Sequence, residues 1–243
     1  MGIKYSIITV AYNSERTIEQ TIMSVLSQSY SDFEYILVDG ASTDKTLDII
    51  KQYAKSDSRI RWISEPDNGI YDAMNKGLKM ATGEAIALLN SDDYYEPDAL
   101  ENVAKIIPDT DKYVVYGMVR FLRDNIEDSI VFNSHNSLPD RMIMHPACFV
   151  SKSIYVEYKY DIAYESAADY DLFMKLYNDK TISFYPIYKV LTNFRLGGMS
   201  SSSKSVFETN EIRYRYGYIS RRTKIMKNLA HLVKLLLYKW FRM

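Results

Sequence analysis

Strands and helices alternate along the first hundred residues, and this alternation constrains the fold more than any other feature of the sequence. Apolar, β-branched runs predict strands at residues 5–10, 35–38, 60–63 and 85–89. Between them, apolar side chains recur at helical spacing, and the third such stripe consists of Ile70, Ala73, Met74, Gly77, Leu78 and Ala81. Alternation of this kind predicts an α/β fold with a mostly parallel, Rossmann-like sheet flanked by helices and buried on both faces.

The second half of the chain is less regular. Residues 113–121 and 130–132 are predicted strands, residues 169–177 a helix, and residues 182–194 are rich in strand-forming side chains. Residues 195–203 (RLGGMSSSS) have the composition of a loop.

Polar side chains follow each of the four N-terminal strands. The residues at these ends include Thr9, Ala11 and Tyr12, then Asp39, then Asp67 and Asn68, and finally Asn90, Asp92 and Asp93. Ligands of parallel sheets bind beyond the carboxyl ends of the strands, where these residues are expected to meet. Four polar strand ends on one edge therefore predict a binding site.

Bulk composition excludes several classes of protein. The net charge is −1, which argues against nucleic acid as a partner, and Cys148 is the only cysteine, which excludes an intrachain disulfide. Cys148 stands between Ala147 and Phe149, so we expect a buried thiol. The N-terminus has no signal-peptide pattern, and no apolar run is long enough for a membrane span, so we expect an intracellular protein.

The glycine cradles that bind phosphate are absent from the sequence. There is neither a GxxxxGK[ST] loop nor a GxGxxG turn. A divalent cation can neutralise a diphosphate instead, and the adjacent carboxylates of Asp92 and Asp93 are suitable ligands for Mg²⁺ or Mn²⁺. Alternatively, Asp92 and Asp93 cap the next helix, with Pro97 in its first turns.

Four blocks of sequence together resemble a known family. They are residues 6–30 (SIITVAYNSERTIEQTIMSVLSQSY), 36–46 (ILVDGASTDKT), 65–84 (EPDNGIYDAMNKGLKMATGE) and 88–93 (LLNSDD). In this order and spacing they resemble the N-terminal half of a family-2 glycosyltransferase with the GT-A fold. The resemblance is close over residues 3–100 and looser over residues 140–200.

The resemblance implies a donor site for a nucleotide-sugar, with UDP the expected nucleotide. Residues 9–12 (Thr9, Ala11 and Tyr12 among them) and Asp39 would hold the nucleoside, with Tyr12 stacked on the base. Asn68, Gly69 and Asp72 would line the same pocket. Asn90, Ser91 and Asp92 match the family's Asp-x-Asp motif, so Asp92 would coordinate Mn²⁺ or Mg²⁺. Asn90 replaces an acid, and Asp93 becomes a candidate for indirect support of the metal or for a sugar hydroxyl.

The resemblance also implies the catalytic base. Residues 164–176 (YESAADYDLFMKL) resemble an acidic motif before a helix, with Ala168 at the usual Glu position and Asp169 at the Asp position. Asp169 would deprotonate the acceptor hydroxyl as it attacks the anomeric carbon with inversion. The alternative is that Asp169 only caps the helix, and Asp171 and Glu165 are substitutes for the base. A role for His145 is left open.

A loop after the last strand has two interpretations. Arg195, Gly197, Gly198 and Ser200 resemble a family loop that folds over the diphosphate, or they form an ordinary surface loop.

The C-terminal tail is basic and amphipathic. Residues 211–243 contain nine Lys or Arg residues and one acid, Glu211. Leu229, Leu232, Val233, Leu236 and Trp240 form a helical stripe, and Tyr238 and Trp240 suit an interface. Such a helix is expected to lie on an anionic membrane surface; alternatively it packs on its own domain or on a partner subunit.

The predicted organisation is a catalytic domain at residues 1–205 followed by a membrane-association tail at residues 206–243. Within the domain, residues 1–105 would bind the nucleotide-sugar and residues 106–205 the acceptor. The predicted function is a metal-dependent hexosyltransferase acting on a lipid-linked saccharide at the inner face of the cell membrane. The alternatives are a non-catalytic module of the same fold, motivated by Asn90 and Ala168, and a sugar-phosphate nucleotidyltransferase, which the absence of glycine from AYNSERT disfavours.

Overall fold

The N-terminal half forms a parallel sheet from four strands. The computed structural model describes residues 4–197 and 203–240. Strands β1 to β4 lie side by side in the order β3-β2-β1-β4, all parallel. Their bounds are β1 Tyr5–Ala11, β2 Phe33–Asp39, β3 Ile60–Ser64 and β4 Ala85–Leu88. The predicted βα alternation and the four predicted strands are confirmed, and all four carboxyl ends meet at one edge.

Five more strands extend this sheet on the β4 side in the order β8-β6-β9-β5, with β7 paired to β6. Strands β6 and β9 run in the same direction as β1 to β4, whereas β5, β7 and β8 run in the opposite direction. The sheet is therefore mostly parallel, as predicted. The bounds are β5 Tyr94–Tyr95, β6 Tyr113–Arg123, β7 Ile126–Val131, β8 Cys148–Ser151 and β9 Ser183–Arg195.

Helices cover both faces of the sheet. Successive side chains of a strand point to opposite faces, so β1 contributes Ile8 and Val10 to one core and Tyr5 and Ile7 to the other. This is why the strand sequences lack polar alternation. The helices are α1 Ile18–Leu26, α2 Thr46–Ser56, α3 Ile70–Met80, α4 Ala99–Ala104, α5 Lys152–Glu157, α6 Ala168–Asn178, α7 Ser203–Arg215 and α8 Arg221–Trp240.

Helices α7 and α8 form the C-terminal part of the described structure. The predicted boundary between residues 205 and 206 falls inside α7, which packs against α6. Helix α8 packs against α7 in turn. In the part of the chain that the structure describes, none of the helices is long and apolar enough to cross a membrane. Cys148 is buried at the start of β8, as expected.

Candidate active site

An exposed aromatic ring and two carboxylates meet beyond β1, β2 and β3. Asp39 is fully buried at the end of β2 and accepts hydrogen bonds from the Ser64 hydroxyl at 2.6 Å and from the Ser42 backbone N–H at 3.2 Å. A Cβ at Gly40 would overlap a carboxylate oxygen of Asp67 and touch the Tyr12 ring, so glycine allows these two side chains to approach the strand end. Tyr12 is 63% exposed. A flat, accessible ring beside fixed acceptors is suited to a nucleoside base.

Only Tyr12, among the residues predicted from the end of β1, offers an accessible side chain. Thr9 is fully buried, and its hydroxyl accepts a hydrogen bond from the Tyr35 hydroxyl at 3.0 Å. Ala11 is also buried and pairs with Asp39 in the β1–β2 register. Both lie in a central strand with neighbours on each side, so Thr9 supports the core and a ligand could meet Ala11 only through its backbone.

The turn before α3 is built on two carboxylates. Asp72 accepts a hydrogen bond from the Asn68 N–H at 3.0 Å, and Asp67 accepts one from the Gly69 N–H at 2.9 Å. Gly69 has φ = 105°, a conformation that glycine tolerates best. Asn68, Gly69 and Asp72 are thus brought together as predicted, and Asp72 holds the turn in addition to any contact with a ligand.

Hydrogen bonds hold the segment from Asn90 to Asp93 in place. Asp93 is fully buried; one carboxylate oxygen accepts from the Asn90 side-chain amide at 2.8 Å and the other from the Arg195 N–H at 3.0 Å. Ser91 shares a hydroxyl–hydroxyl hydrogen bond with Ser14 at 2.8 Å. Burial and the neighbouring Asp92 carboxylate raise the pKa of Asp93 well above its usual range. Asp93 therefore supports the segment and does not face a sugar hydroxyl.

Asp92 is the carboxylate that this segment presents. Burial raises its pKa, and the guanidinium of Arg195 opposes this in part. Arg195 donates hydrogen bonds to the backbone carbonyl of Asp92 and to the Gln20 side chain, and lies over the Tyr94 ring. The helix-capping interpretation of Asp92 and Asp93 is wrong, because β5 intervenes and α4 begins after Asp98.

Asp169 is held at the first turn of α6 by three donors. Its Oδ1 accepts from the Tyr71 hydroxyl at 3.0 Å and from the Tyr170 N–H at 2.9 Å, and its Oδ2 lies 3.2 Å from His145 Nδ1. The interpretation that Asp169 only caps the helix is wrong, because the N-cap is Ala167 and the Asp169 carboxylate also contacts Tyr71 and His145. Burial raises the pKa of Asp169, but the bonds from His145, Tyr170 and Tyr71 outweigh it and hold the pKa below its usual value. Asp169 is therefore ionised near neutral pH.

The two substitute bases are placed differently. Asp171 is 2% exposed and forms an ion pair with Lys175 at 2.6 Å. The Glu165 carboxylate is largely exposed and pairs with Lys204. Ala168, which replaces the acid of the family motif, is fully buried in the core. Of the three acids Asp169, Asp171 and Glu165, Asp169 is thus the one that is ionised, held in a fixed orientation and adjacent to a cavity.

A cavity of about 390 Å³ lies beside Asp169 and His145. Its lining is mainly apolar and includes Phe121, Met144, Phe194 and Leu196, with Ser205 and Thr209 from α7. His145 Nε2 is buried and has no hydrogen-bond partner among the described residues. Of the predicted loop residues, Arg195 and Gly197 flank Leu196, which lines this cavity. Gly198 and Ser200 lie outside the described residues.

Helix α8 exposes an apolar face. It is held to α7 by a hydrogen bond from the Asn210 side-chain amide to Asn228 Oδ1 and by an ion pair between Lys224 and Glu211, each 2.7 Å long. Seven apolar residues of α8 are between 44% and 70% exposed: Ile225, Met226, Leu229, Leu232, Val233, Leu236 and Leu237. At 100° per residue these seven lie on the side of α8 away from Asn228 and Lys224. The side chains of Tyr238 and Trp240 lie outside the described part.

Sequence reasoning did not single out Tyr71. Tyr71 and Asp169 are 98 positions apart, and only the folded chain brings the hydroxyl and the carboxylate within hydrogen-bond distance. The only sequence signal is that Tyr71 directly precedes Asp72, in the turn that was assigned to the donor. His145 had been left open, and its contact with Asp169 places it at the site.

Comparisons with known proteins show what this chain is similar to. The family model for glycosyl transferase family 2 matches residues 6–157. A PGL/p-HBAD biosynthesis glycosyltransferase of Mycobacterium bovis BCG is 32% identical over 203 residues, 82% of this chain and 79% of that protein. A chondroitin synthase of Pasteurella multocida is 32% identical over 210 residues, 83% of this chain and 21% of that longer protein.

Solved structures share the fold. S. aureus TarS, in complex with UDP-GlcNAc, superposes with a TM-score of 0.71 at 19% identity, over 95% of this chain and 72% of that chain. The mannosyltransferase PcManGT of Pyrobaculum calidifontis, in complex with GDP-Man and Mn²⁺, gives 0.67 at 17% identity, over 98% of this chain and 76% of that chain.

Proposed function

The chain belongs to glycosyl transferase family 2 and has the GT-A fold, and we propose that it transfers a sugar from a UDP-sugar to a hydroxyl group of a lipid-linked saccharide, with inversion. The observation that carries this proposal is the ionised, oriented carboxylate of Asp169 beside a cavity. A glycosyltransferase needs a donor site and, next to it, a base for the acceptor. The sheet edge supplies the first and the α6 turn the second.

The donor is proposed to bind across the ends of β1 to β4. Tyr12 stacks on the base, Asp39 and Asp67 face the nucleoside, and the diphosphate extends toward Asp92 and Arg195. The complexes of S. aureus TarS with UDP-GlcNAc and with UDP support a uridine nucleotide, whereas the PcManGT complex contains GDP-Man. A panel of donors separates these two possibilities.

A divalent cation is proposed at Asp92. Within the described residues no cluster of three or more His, Cys, Asp or Glu side chains could hold a metal by itself. Asp92 is nevertheless suitable, because Mg²⁺ in phosphate-transfer sites is commonly held by one or two carboxylates together with substrate phosphates. When bound, Mn²⁺ or Mg²⁺ would offset the negative charge of the leaving diphosphate. Arg195, beside Asp92, adds a second positive charge to the same end of the site.

Asp169 is proposed to remove the proton of the attacking hydroxyl. The acceptor oxygen forms a bond to the anomeric carbon, the bond from that carbon to the diphosphate oxygen breaks, and the proton passes to Asp169. A weakly basic carboxylate suffices when the proton moves late, because the hydroxyl becomes acidic only as it forms the new bond. A base in this position contributes about 10²–10⁴ in rate.

The membrane partner is proposed to bind through α8. This helix exposes apolar side chains on one face and carries the basic residues Arg221, Arg222, Lys224, Lys227, Lys234 and Lys239, with no acid. An anionic leaflet complements both features, whereas two copies of α8 would bring like charges together. Helix α7 both packs on α8 and lines the Asp169 cavity, so a lipid-linked acceptor held at the membrane would be close to the base. This arrangement favours the cytoplasmic face of the cell membrane as the site of action.

Donor binding and donor hydrolysis test the proposal. UDP-, GDP- and dTDP-sugars are offered with Mn²⁺ and with EDTA, and binding is measured by calorimetry. We expect one UDP-sugar to bind, more tightly with Mn²⁺ than with EDTA, and to be hydrolysed slowly with Mn²⁺ only. If no donor binds under either condition, the non-catalytic alternative, which Asn90 and Ala168 motivate, replaces this proposal.

A further inference from the structure

Two side chains from different parts of the chain hold the Asp169 carboxylate. Tyr71 comes from the first turn of α3, and its hydroxyl donates to Oδ1 at 3.0 Å. His145 comes from the short helical turn His145–Ala147, and its Nδ1 lies 3.2 Å from Oδ2. An ionised carboxylate only accepts hydrogen bonds, so Nδ1 carries the proton and the histidine acts as a donor.

Helix α3 connects Asp169 with the turn at residues 67–72 that is proposed to bind the nucleotide-sugar. The turn at residues 67–72 runs directly into α3, and Tyr71 is part of it. Further along α3, Asn75 exchanges two hydrogen bonds with the backbone of Tyr160, at 2.9 and 3.1 Å. The rings of Tyr71 and Tyr160 are stacked with centroids 5.6 Å apart. Tyr71 therefore reaches Asp169 from a helix that is already fixed to the acceptor half.

We propose that Tyr71 and His145 are positioning residues that fix the ionised Asp169 carboxylate in the orientation the acceptor hydroxyl requires. The inference rests on the proposed function, because it assigns how that base is held. Oδ1 is occupied by two donors and Oδ2 by one, so Oδ2 keeps a lone pair for the proton of the acceptor.

Three titratable groups beside Asp169 do not change their charge over the pH range of the tests. Burial raises the pKa values of Tyr71, Tyr160 and Cys148, so all three stay neutral between pH 3 and pH 8. His145 is the remaining titratable side chain in contact with the carboxylate, and the second variant below removes it.

The first variant is Tyr71→Phe, which keeps the buried ring and removes one donor. Loss of a hydrogen bond to the ionised form raises the pKa of Asp169. The acid limb of kcat/KM should then move to higher pH. At pH 7 kcat should fall about 10- to 100-fold, because the base is no longer held in line with the hydroxyl. Binding of UDP should not change.

The second pair of variants, both at His145, separates the effect of the hydrogen-bond donor from that of the imidazole ring. His145→Leu removes the Nδ1 donor, whereas His145→Asn places an amide N–H near the same position. We expect His145→Leu to shift the acid limb as Tyr71→Phe does, and His145→Asn to restore most of the wild-type profile. Asn75→Ala is the matched control, since it cuts the other hydrogen bonds between α3 and the acceptor half. Its acid limb should coincide with that of the wild type.

Unfolding in urea gives a readout that does not depend on turnover. A carboxyl group with a lowered pKa stabilises the fold above its unfolded pKa, and this stabilisation is lost as the pH falls. The stability advantage of the wild type over Tyr71→Phe should therefore shrink as the pH falls below about 4 and through the lowered pKa of Asp169, while its advantage over Asn75→Ala stays constant.

Two results are decisive. If Tyr71→Phe has an unchanged acid limb and a stability deficit that is independent of pH, like Asn75→Ala, Tyr71 is only a tie between helices and the inference is overturned. If the pH-dependent stability difference is present but the wild type transfers no sugar from any donor, the positioning of Asp169 stands and the proposed function fails.

Discussion

Replacing two leucines on the exposed face of α8 should weaken binding to anionic vesicles by an amount that follows from their exposure. Leu229 is 55% exposed and Leu236 is 67% exposed. A leucine side chain transferred fully from water to an apolar medium gains about 2 kcal/mol. Scaled by exposure, the two contribute about 1.1 and about 1.3 kcal/mol. Leu229→Gln with Leu236→Gln should therefore lower the partition coefficient about 50-fold.

Sedimentation with sucrose-loaded vesicles measures this change. The matched control is Ile126→Gln with Val156→Gln, because these two side chains are each 72% exposed but lie on β7 and α5. The control should bind as the wild type does. A second arm, Lys227→Gln with Lys234→Gln, should weaken binding to anionic vesicles about 25-fold, at about 1 kcal/mol for each charge. Its binding to neutral vesicles should not change.

Three outcomes would refute the membrane reasoning. The leucine variant could bind like the wild type, or the control could lose as much binding as the leucine variant. In the third outcome, the leucine substitutions would convert a dimer to a monomer without affecting vesicle binding, and the α8 face would then belong to a second copy of the chain.

Three further predictions concern the core, the pH dependence of stability and the cation. A Cβ at Gly77 would overlap Ile8 Cγ2. Gly77→Ala should therefore lower the free energy of unfolding, measured in urea, by about 1–3 kcal/mol. The double variant with Ile8→Ala should lose less than the two single variants combined. Burial raises the pKa of Glu34, but hydrogen bonds from Ser6, Thr82 and Arg61 outweigh it and lower the pKa to about 2. This stabilisation is present above about pH 4.5 and is lost as the pH falls toward 2, so Glu34→Gln should cost about 3 kcal/mol at pH 7 and about half as much at pH 3. Asp92→Asn should abolish the gain in UDP affinity that Mn²⁺ gives the wild type in calorimetry, while leaving binding in EDTA unchanged.

Each of these predictions has its own contradiction. An unchanged melting temperature for Gly77→Ala would mean that α3 and β1 are not closely packed there. A Glu34→Gln deficit that is equal at pH 7 and pH 3 would show that the carboxylate is not held ionised. An Asp92→Asn variant with the full Mn²⁺ effect would place the cation elsewhere.

The fold of the N-terminal half could be predicted because its signals are local. Each of β1 to β4 is mostly apolar and ends in, or is followed within two positions by, a polar residue, and α3 has an uninterrupted apolar stripe. These patterns depend on neighbours a few positions apart, and they determined both the sheet and the edge where the site lies. Asp39, Asn68 and Asp92 were placed at this edge in this way, and their roles there stay predictions.

The acceptor half could not be predicted to the same depth, because its contacts are distant in sequence. Strand β5 has two residues and exists only because Tyr94 and Tyr95 pair with Asn193 and Thr192 of β9. That pairing, together with the backbone of Arg195, buries Asp93, which sequence reasoning had placed near the sugar. The hydrogen bond from Tyr71 to Asp169 has the same origin.

Sugar transfer by the Asp169→Asn variant tests the central claim most directly. The measurement is the rate of UDP release from the donor that the panel identifies, with UDP affinity determined in parallel and Glu165→Gln as the control from the same motif. Asn keeps the shape of the side chain but cannot accept the proton, so the account predicts a loss of about 10²–10⁴ in kcat with unchanged UDP affinity. Glu165→Gln should retain the wild-type rate. Wild-type turnover by Asp169→Asn would contradict the assignment of the base and the reading of the cavity beside it as the place of transfer.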